Sequence, residues 1–227
     1  MDTPKPLYRV GMLLSGCGLL DGSDPTQAVL IQVGLDEADA ELIACAPDQD
    51  QHDVVHPLRA EPLPSRNALA EAARPVRGLC VPLDAGLAGR LDALVVPGGL
   101  GVLKTLWGVA HAGLEAPVEA AAAGLISALH QAGKPIAAID EGVVLLAGAL
   151  RQARLELAGG TASPLLDTLR ALDHDVRELG ENQLCWDAKN RTLTAMTTRD
   201  LDVRAVAGTT QNVLNRLLAE LDSIHGE

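Results

Sequence analysis

Asp140 has the position in this sequence that best suits chemistry. Residues 134–142 read Lys-Pro-Ile-Ala-Ala-Ile-Asp-Glu-Gly, so a short apolar run precedes Asp140 and an apolar, helix-like stretch follows it. This order predicts a nucleophile elbow, a sharp strand-to-helix turn that presents one side chain at the carboxyl end of a sheet. A carboxylate there predicts acid–base or carboxylate-nucleophile chemistry and not thiol chemistry. Asp is also common at helix starts, where it caps backbone N–H groups, and that structural role is the alternative.

Two glycine-rich loops follow predicted strands and are candidates for the rest of a pocket. The first, residues 15–23, contains Gly16 and Cys17, and its backbone N–H groups are suited to an anion or a carbonyl oxygen. The second contains Gly98 and Gly99. We expect the N–H groups of Gly99 and Glu141 to form an oxyanion hole beside Asp140. Neither loop has the phosphate-loop or dinucleotide glycine pattern, and a structural turn is the alternative for each.

Composition and charge narrow the possible partners. The chain has 227 residues, 48% of them hydrophobic, and we expect one domain over residues 1–227. The net charge of −12 and the lack of a dense basic cluster disfavour nucleic acid and anionic membranes as partners. Residues 1–9 are polar and contain proline, and no apolar run reaches about 18 residues. We therefore expect a cytoplasmic protein that binds a small molecule.

The residues that commonly hold metals are scattered in this sequence. The four cysteines have no C-x-x-C spacing. His52 and His56 have an H-x-x-x-H spacing, but they lie in a proline-broken stretch and not in a helix. We expect neither a metal nor a cofactor.

Strand and helix patterns alternate along the whole chain, which predicts an α/β fold with a mostly parallel sheet covered by helices. The predicted strands are residues 9–14, 41–46, 91–96, 135–139, 155–158 and 175–179, with a hairpin of 185–188 and 192–197. The predicted helices are residues 26–38, 67–73, 115–132, 141–150 and 203–221.

Several segments in order resemble one family across most of residues 9–200. They include Ser15-Gly16-Cys17-Gly18, Ala46-Pro47-Asp48, Ser65-Arg66-Asn67, Val96-Pro97-Gly98-Gly99 and Ala132-Gly133-Lys134-Pro135. With these segments the chain resembles the ThiJ/PfpI superfamily of glutamine-amidotransferase-like proteins, and more narrowly its ElbB-like branch of isoprenoid-biosynthesis glyoxalases. The resemblance implies a flavodoxin-like, three-layer sandwich with helices on both faces of the sheet, a bacterial source and a homodimer.

The chain departs from that family at its two principal catalytic positions. The resemblance places a cysteine where this sequence has Asp140, and a glutamate where it has Gln27. It also places the family's late Thr-Thr-Pro segment at about Thr194-Ala195-Met196. A Glu at position 27 would bring a second negative charge to Asp140, whereas Gln27 removes that charge and can donate an N–H group. The paired change indicates a coherent polar site.

Three functions fit this pattern. In the first, Asp140 is a general base or nucleophile, positioned by Gln27, in a hydrolase-, lyase- or hydratase-type enzyme acting on a small carbonyl-like substrate. In the second, the protein has lost catalysis and binds a small molecule or partner as a sensor or scaffold. In the third, glyoxalase-like activity persists through Cys17.

Overall fold

The computed structural model describes residues 7–161, 164–197 and 202–226, and within these ranges the chain forms nine strands. Seven strands form one sheet in the order β3-β2-β1-β4-β5-β9-β8, whose neighbours are parallel except for β8 and β9. The other two, β6 and β7, form a separate parallel pair. The bounds are β1 (Arg9–Leu13), β2 (Glu41–Ala46), β3 (Cys80–Pro82), β4 (Ala93–Val96), β5 (Ile136–Ile139), β6 (Glu156–Ala158), β7 (Asp175–Arg177), β8 (Leu184–Asp187) and β9 (Thr192–Ala195).

Helices cover both faces of the sheet. Their bounds are α1 (Pro25–Glu37), α2 (Ala68–Ala72), α3 (Val109–Ala112), α4 (Ala120–Gln131), α5 (Glu141–Ala149), α6 (Pro164–Ala171) and α7 (Val203–His225). A 3-10 turn spans Ala85–Gly89, and a π-helical turn spans Val102–Leu106. Among the residues that the structure describes, no helix is both long and apolar enough to cross a membrane.

Two hydrophobic cores lie on opposite faces of the sheet because successive side chains of a strand point to opposite sides. In β4, Leu94 and Val96 pack into a core with α4 and α5, whereas Ala93 and Val95 pack into a core with α1 and α7. Because both faces are buried, the central strands are continuously apolar. The predicted three-layer α/β sandwich with a mostly parallel sheet is confirmed.

Four elements differ from the prediction in extent, existence or pairing. The helix predicted over residues 115–132 begins at Ala120, because the Glu119 carboxylate accepts hydrogen bonds from the N–H groups of Ala121 and Ala122. The strand β3 was not predicted; it has only three residues, one of them proline, as is typical of a sheet edge. The predicted strands at 155–158 and 175–179 pair with each other and do not join the main sheet.

Two glycine substitutions test the packing of α5 against the first core. A Cβ added at Gly148 would lie 2.6 to 2.8 Å from three ring carbons of the buried Trp107. We expect Gly148→Ala to lower the free energy of unfolding by about 1–3 kcal/mol, because the ring has no room to move. Gly89→Ala is the matched control, since a Cβ there meets nothing within 4 Å. It should be neutral or stabilise by up to about 1 kcal/mol. Chemical denaturation measures both, and equal effects would contradict the packing.

Candidate functional site

Four loops meet at the carboxyl edge of the sheet, where parallel α/β proteins place their ligand sites. They follow β1, β4, β5 and β9, which are neighbours in the sheet. The first two loops are joined by backbone hydrogen bonds from Asp24 N–H to Gly98 O at 2.8 Å and from Gly101 N–H to Gly22 O at 2.9 Å. Gly99, at φ 106°, requires glycine because a Cβ there would lie 2.4 Å from Gly22 O.

Asp140 lies at the turn between β5 and α5 in a strained backbone conformation. Its φ of 52° and ψ of −119° are unusual for a residue with a side chain. Strain of this kind collects at functional sites, where the surrounding structure maintains it. The Asp140 side chain makes no capping hydrogen bond to α5, so the helix-capping alternative is wrong.

The Asp140 carboxylate instead accepts three hydrogen bonds from two other elements. The Thr197 N–H donates to Oδ1 at 2.7 Å, and the Thr197 hydroxyl donates to Oδ2 at 2.7 Å. Gln27 Nε2 donates to the same Oδ2 at 2.6 Å. Oδ1 therefore keeps acceptor capacity for one further donor.

Gln27 presents its amide to Asp140 in one orientation. It is buried in the first turn of α1, whose N-cap is the Asp24 carboxylate. Gln27 Oε1 accepts the Gly98 N–H at 2.7 Å, and this leaves only the NH₂ group to face Asp140. The contact expected from the sequence is therefore present. A Cβ at Gly98 would lie 2.8 Å from Asp140 Cβ, so this approach also requires glycine.

The oxyanion hole expected from Gly99 and Glu141 is not available in this arrangement. The Glu141 side chain is buried, and its Oε2 accepts the Gly99 N–H at 2.9 Å. The Gly98 N–H is bound by Gln27. The Glu141 side chain turns back over the second glycine loop and fills the place predicted for a substrate oxygen.

Burial raises the pKa of Asp140 to about 6 from an ordinary value of 3.8. The hydrogen bond from the Thr197 hydroxyl opposes this rise in pKa, and the negative charge of Glu141 adds to it. The Thr197 N–H and Gln27 also lower the pKa. The Asp140 carboxyl therefore changes its charge close to neutral pH.

Gly16 and Cys17 lie in the first loop beside a different polar group. A Cβ at Gly16 would overlap the side chain of Gln51. Burial raises the pKa of the half-buried Cys17 thiol, the Glu71 charge raises it further, and Arg66 acts in the opposite direction. No hydrogen bond found in the described part of the chain links Cys17 to Asp140. The structure thus brings Gln27, Gly98, Gly99 and Glu141 to Asp140, and their catalytic roles stay predictions.

The sequence analysis missed Thr197, which makes two of the three hydrogen bonds to Asp140. It placed the corresponding family segment at residues 194–196, of which the first two lie in β9 and the last directly follows it. The parallel pairing of β9 with β5 places Ala195 opposite Ile139, so Thr197, the second residue after β9, lies close to Asp140, the first residue after β5. The rule that parallel strands end at one edge was the signal that could have identified Thr197.

The histidine spacing noted in the sequence does not assemble a metal site. The His52 ring stacks on His111 with ring centroids 4.1 Å apart, while His56 Nδ1 accepts the Leu58 N–H at 3.2 Å. Within the described ranges, no group of three or more His, Cys, Asp or Glu side chains is placed to hold a metal ion.

Gln27→Glu tests whether the amide is needed to separate two negative charges. The variant places a second carboxylate against Oδ2 of Asp140, where Gln27 Nε2 now lies at 2.6 Å. We expect a loss of about 2–4 kcal/mol of unfolding free energy at pH 7, most of it recovered at pH 4 by protonation. Adding Asp140→Asn restores an amide–acid pair and should recover most of the loss at pH 7. Additive effects in this double-mutant cycle would contradict the pairing.

The raised pKa of Asp140 also predicts a pH-dependent stability. Since the folded pKa of about 6 exceeds the ordinary 3.8, the folded state binds the proton more tightly. The resulting stabilisation is complete below pH of about 4 and is lost as the pH rises through 6. We expect this term to be about 3 kcal/mol in denaturation curves of the wild type and absent from Asp140→Asn. The same slope in both proteins would contradict the assignment, and ¹³C NMR of the carboxyl carbon measures the pKa directly.

Comparison with known proteins identifies relatives over most of the chain. It is 34% identical over 205 residues to the human mitochondrial protein named glutamine amidotransferase-like class 1 domain-containing protein 3, a match covering 86% of this chain and 76% of that protein. Matches to mitochondrial relatives from rat and zebrafish cover 52% and 50% of those proteins. No model of a known protein family matches the chain.

These relatives correct one expectation. The prediction of a cytoplasmic protein is contradicted, because the curated relatives from human, rat and zebrafish are all named as mitochondrial proteins. The polar residues 1–9, on which that prediction depended, are therefore no guide to location. The bacterial source implied by the resemblance receives no support from these eukaryotic relatives.

Solved structures show the same fold. The structure of an isoprenoid biosynthesis protein with an amidotransferase-like domain from Ehrlichia chaffeensis has a TM-score of 0.86 at 22% identity, covering 94% of this chain and 99% of that one. A mutant of DJ-1 from Schizosaccharomyces pombe has a TM-score of 0.57 at 13% identity, covering 96% and 97% of the two chains. The chain therefore belongs to the glutamine amidotransferase-like class 1 family and has the DJ-1/ThiJ/PfpI fold.

Proposed function

We propose that this protein is an enzyme in which Asp140 transfers a proton to and from a small molecule, in a reaction of the lyase, hydratase or hydrolase type. The observation behind this proposal is the strained elbow that holds the Asp140 carboxylate, at φ 52°, at the position where the resemblance implies a cysteine. A residue that only closed a turn at that φ would be glycine or asparagine at lower conformational cost. The conformational strain of an acid at this turn is explained if the carboxylate acts on a ligand.

The hydrogen bonds of Asp140 favour a general base over a nucleophile. Oδ2 accepts two hydrogen bonds and Oδ1 one, and each donor withdraws electron density from the oxygen that would attack a carbon atom. Proton transfer needs only the remaining acceptor capacity of Oδ1. A pKa of about 6 is also well matched to proton transfer at neutral pH. In this mechanism Oδ1 takes a proton from water or substrate and returns it to the leaving group.

Gln27 and Thr197 are positioning residues in this mechanism. Together they fix the carboxylate plane from two sides, so that no reorganisation is needed when the proton moves. A small carbonyl-like substrate, as expected from the sequence, would have its oxygen held by groups other than the Gly99 N–H, which Glu141 occupies. The homodimer implied by the resemblance is part of the proposal.

A non-catalytic binding protein is the second candidate. The observation in its favour is that Asp140 is already well supplied with hydrogen bonds by the chain itself. Such a protein would be stabilised by its ligand without converting it. Catalysis through Cys17 is less favoured, because the raised pKa of its thiol lowers the fraction of reactive thiolate at neutral pH.

Turnover of a compound panel by the wild type and Asp140→Asn tests the proposal. The panel contains aldehydes, α-keto acids, amides and nitriles, each followed by NMR for consumption. We expect Asp140→Asn to lower kcat/KM by about 10²- to 10⁴-fold, and kcat/KM of the wild type to rise with pH through about 6 as the base loses its proton.

Two further variants complete this experiment. Asp36→Asn on the exposed side of α1 removes the same charge far from the elbow and should leave turnover unchanged. Cys17→Ser separates the thiol alternative from the carboxylate mechanism. Unchanged turnover in Asp140→Asn would refute the proposal, and binding by both proteins without consumption would favour the binding protein.

A further inference from the structure

The segment of residues 50–67 brings two polar side chains to one face. Its first and last residues form an antiparallel bridge, and the Gln51 N–H donates to Arg66 O at 2.7 Å. Gln51 therefore lies opposite Arg66, and opposite residues of an antiparallel pair extend their side chains to the same face. That face covers the first glycine loop. A Cβ at Gly16 would overlap Gln51 Oε1, and Arg66 Nη2 donates to Asp21 Oδ2 at 2.9 Å.

Both of these side chains contain buried polar atoms without a hydrogen bond. Within the ranges that the structure describes, such atoms belong to Gln51, Arg66 and Thr192. Gln51 is only 3% exposed, and neither its Nε2 nor its Oε1 has a partner, while in Arg66 the atom is Nε. Buried polar atoms are nearly always hydrogen-bonded, because an unpaired one is costly. Two of these three residues lie opposite each other over one loop, which indicates a shared ligand.

The charges around the two side chains cancel. Asp21 and Glu71 are both buried, and Arg66 pairs with both of them. Arg74 Nε donates to the other oxygen of Glu71 at 3.0 Å. Two carboxylates thus hold the Arg66 guanidinium in place, which fixes the direction of its Nε. A charged ligand would arrive here without a countercharge, so an uncharged ligand is favoured.

This face lies away from the elbow and from the chain segment after Thr197. Gln51 follows β2, and Gly16 follows β1, whereas Asp140 follows β5. Residues 198–201 come after β9, which is separated from β1 by β4 and β5, or about 14 Å at about 4.8 Å per strand. The unpaired atoms of Gln51 therefore belong to a part of the fold that is described on all sides of the first glycine loop.

We propose that Gln51 and Arg66 form a binding site for a small primary carboxamide, separate from the Asp140 elbow. The carbonyl oxygen of the ligand accepts hydrogen bonds from Gln51 Nε2 and Arg66 Nε, and its NH₂ group donates to Gln51 Oε1. A carboxamide has an acceptor beside a donor and no charge, which matches the unpaired atoms of this face. Because the Arg66 side chain is 36% exposed, the site lies close to the surface.

Four ligands with one carbon skeleton test this site: acetamide, N,N-dimethylacetamide, acetate and acetamidinium. Calorimetry and thermal shift at neutral pH should show binding of acetamide to the wild type and no binding of the two ions. N,N-dimethylacetamide lacks the N–H groups and should bind about tenfold more weakly.

Gln51→Met removes both polar atoms and keeps a similar side-chain length. We expect this variant to fold with a raised Tm, because buried unpaired atoms are lost, and to bind acetamide about tenfold more weakly. Gln152→Met, in the exposed turn after α5, is the matched control and should bind as the wild type does. The NMR signals of the Gln51 NH₂ group, identified by their absence from Gln51→Met, should shift with acetamide in the wild type and in Asp140→Asn.

Each result decides the inference separately from the proposed function. No binding of acetamide, preferred binding of either ion, or equal acetamide affinity in Gln51→Met would overturn it. Unshifted Gln51 signals would mean that the amide contacts internal water only, and would also overturn it. If Gln51→Met does not fold, the ligand series on the wild type decides alone. The proposed function depends instead on turnover that is lost in Asp140→Asn, whereas acetamide binding at Gln51 should survive that substitution.

Discussion

The structure of this site depends on placing a carboxylate at a strained turn where water can reach it only in part. A carboxylate in that setting needs donors and must be kept apart from other negative charges. Gln27 satisfies both needs, since its amide donates to Asp140 and its carbonyl is held by Gly98. Position 98 must then be glycine, because a Cβ there would lie 2.8 Å from both Asp140 Cβ and Glu141 Oε2.

Sheet order determines how the rest of the site is assembled. The adjacent parallel strands β1, β4, β5 and β9 bring four loops to one edge, although β9 is distant from β1 in sequence. Thr197 reaches Asp140 only through this arrangement. Glu141, by contrast, is next to Asp140 in the chain and uses the first turn of α5, where unpaired N–H groups and the helix dipole favour a negative charge.

Local patterns allowed much of this to be predicted from the sequence. The apolar runs and glycine turns identified the central strands, and the position of Asp140 between a strand and a helix identified the elbow. The direction of the Glu141 side chain could not be predicted, because it depends on a contact with Gly99 across two elements. Thr197 was missed for a similar reason, and the short edge strand β3 has too few residues to give a pattern. The contact of Gln27 with Asp140 was expected from the paired change at the two positions, whereas the other contacts between distant segments left no pattern in the sequence.

The fixed orientation of the Gln27 amide also bears on the order in which positions 27 and 140 could change during evolution. If the thiol and the acid that the resemblance implies at these positions came first, two single-substitution intermediates lie between them and this chain's acid and amide. The intermediate with acids at both positions would bring two carboxylates together where Gln27 Nε2 now lies 2.6 Å from Asp140 Oδ2, so it must hold an extra proton or lose stability. The intermediate with a thiol and an amide has no such repulsion. The amide at position 27 is therefore the change that could come first without a loss of stability.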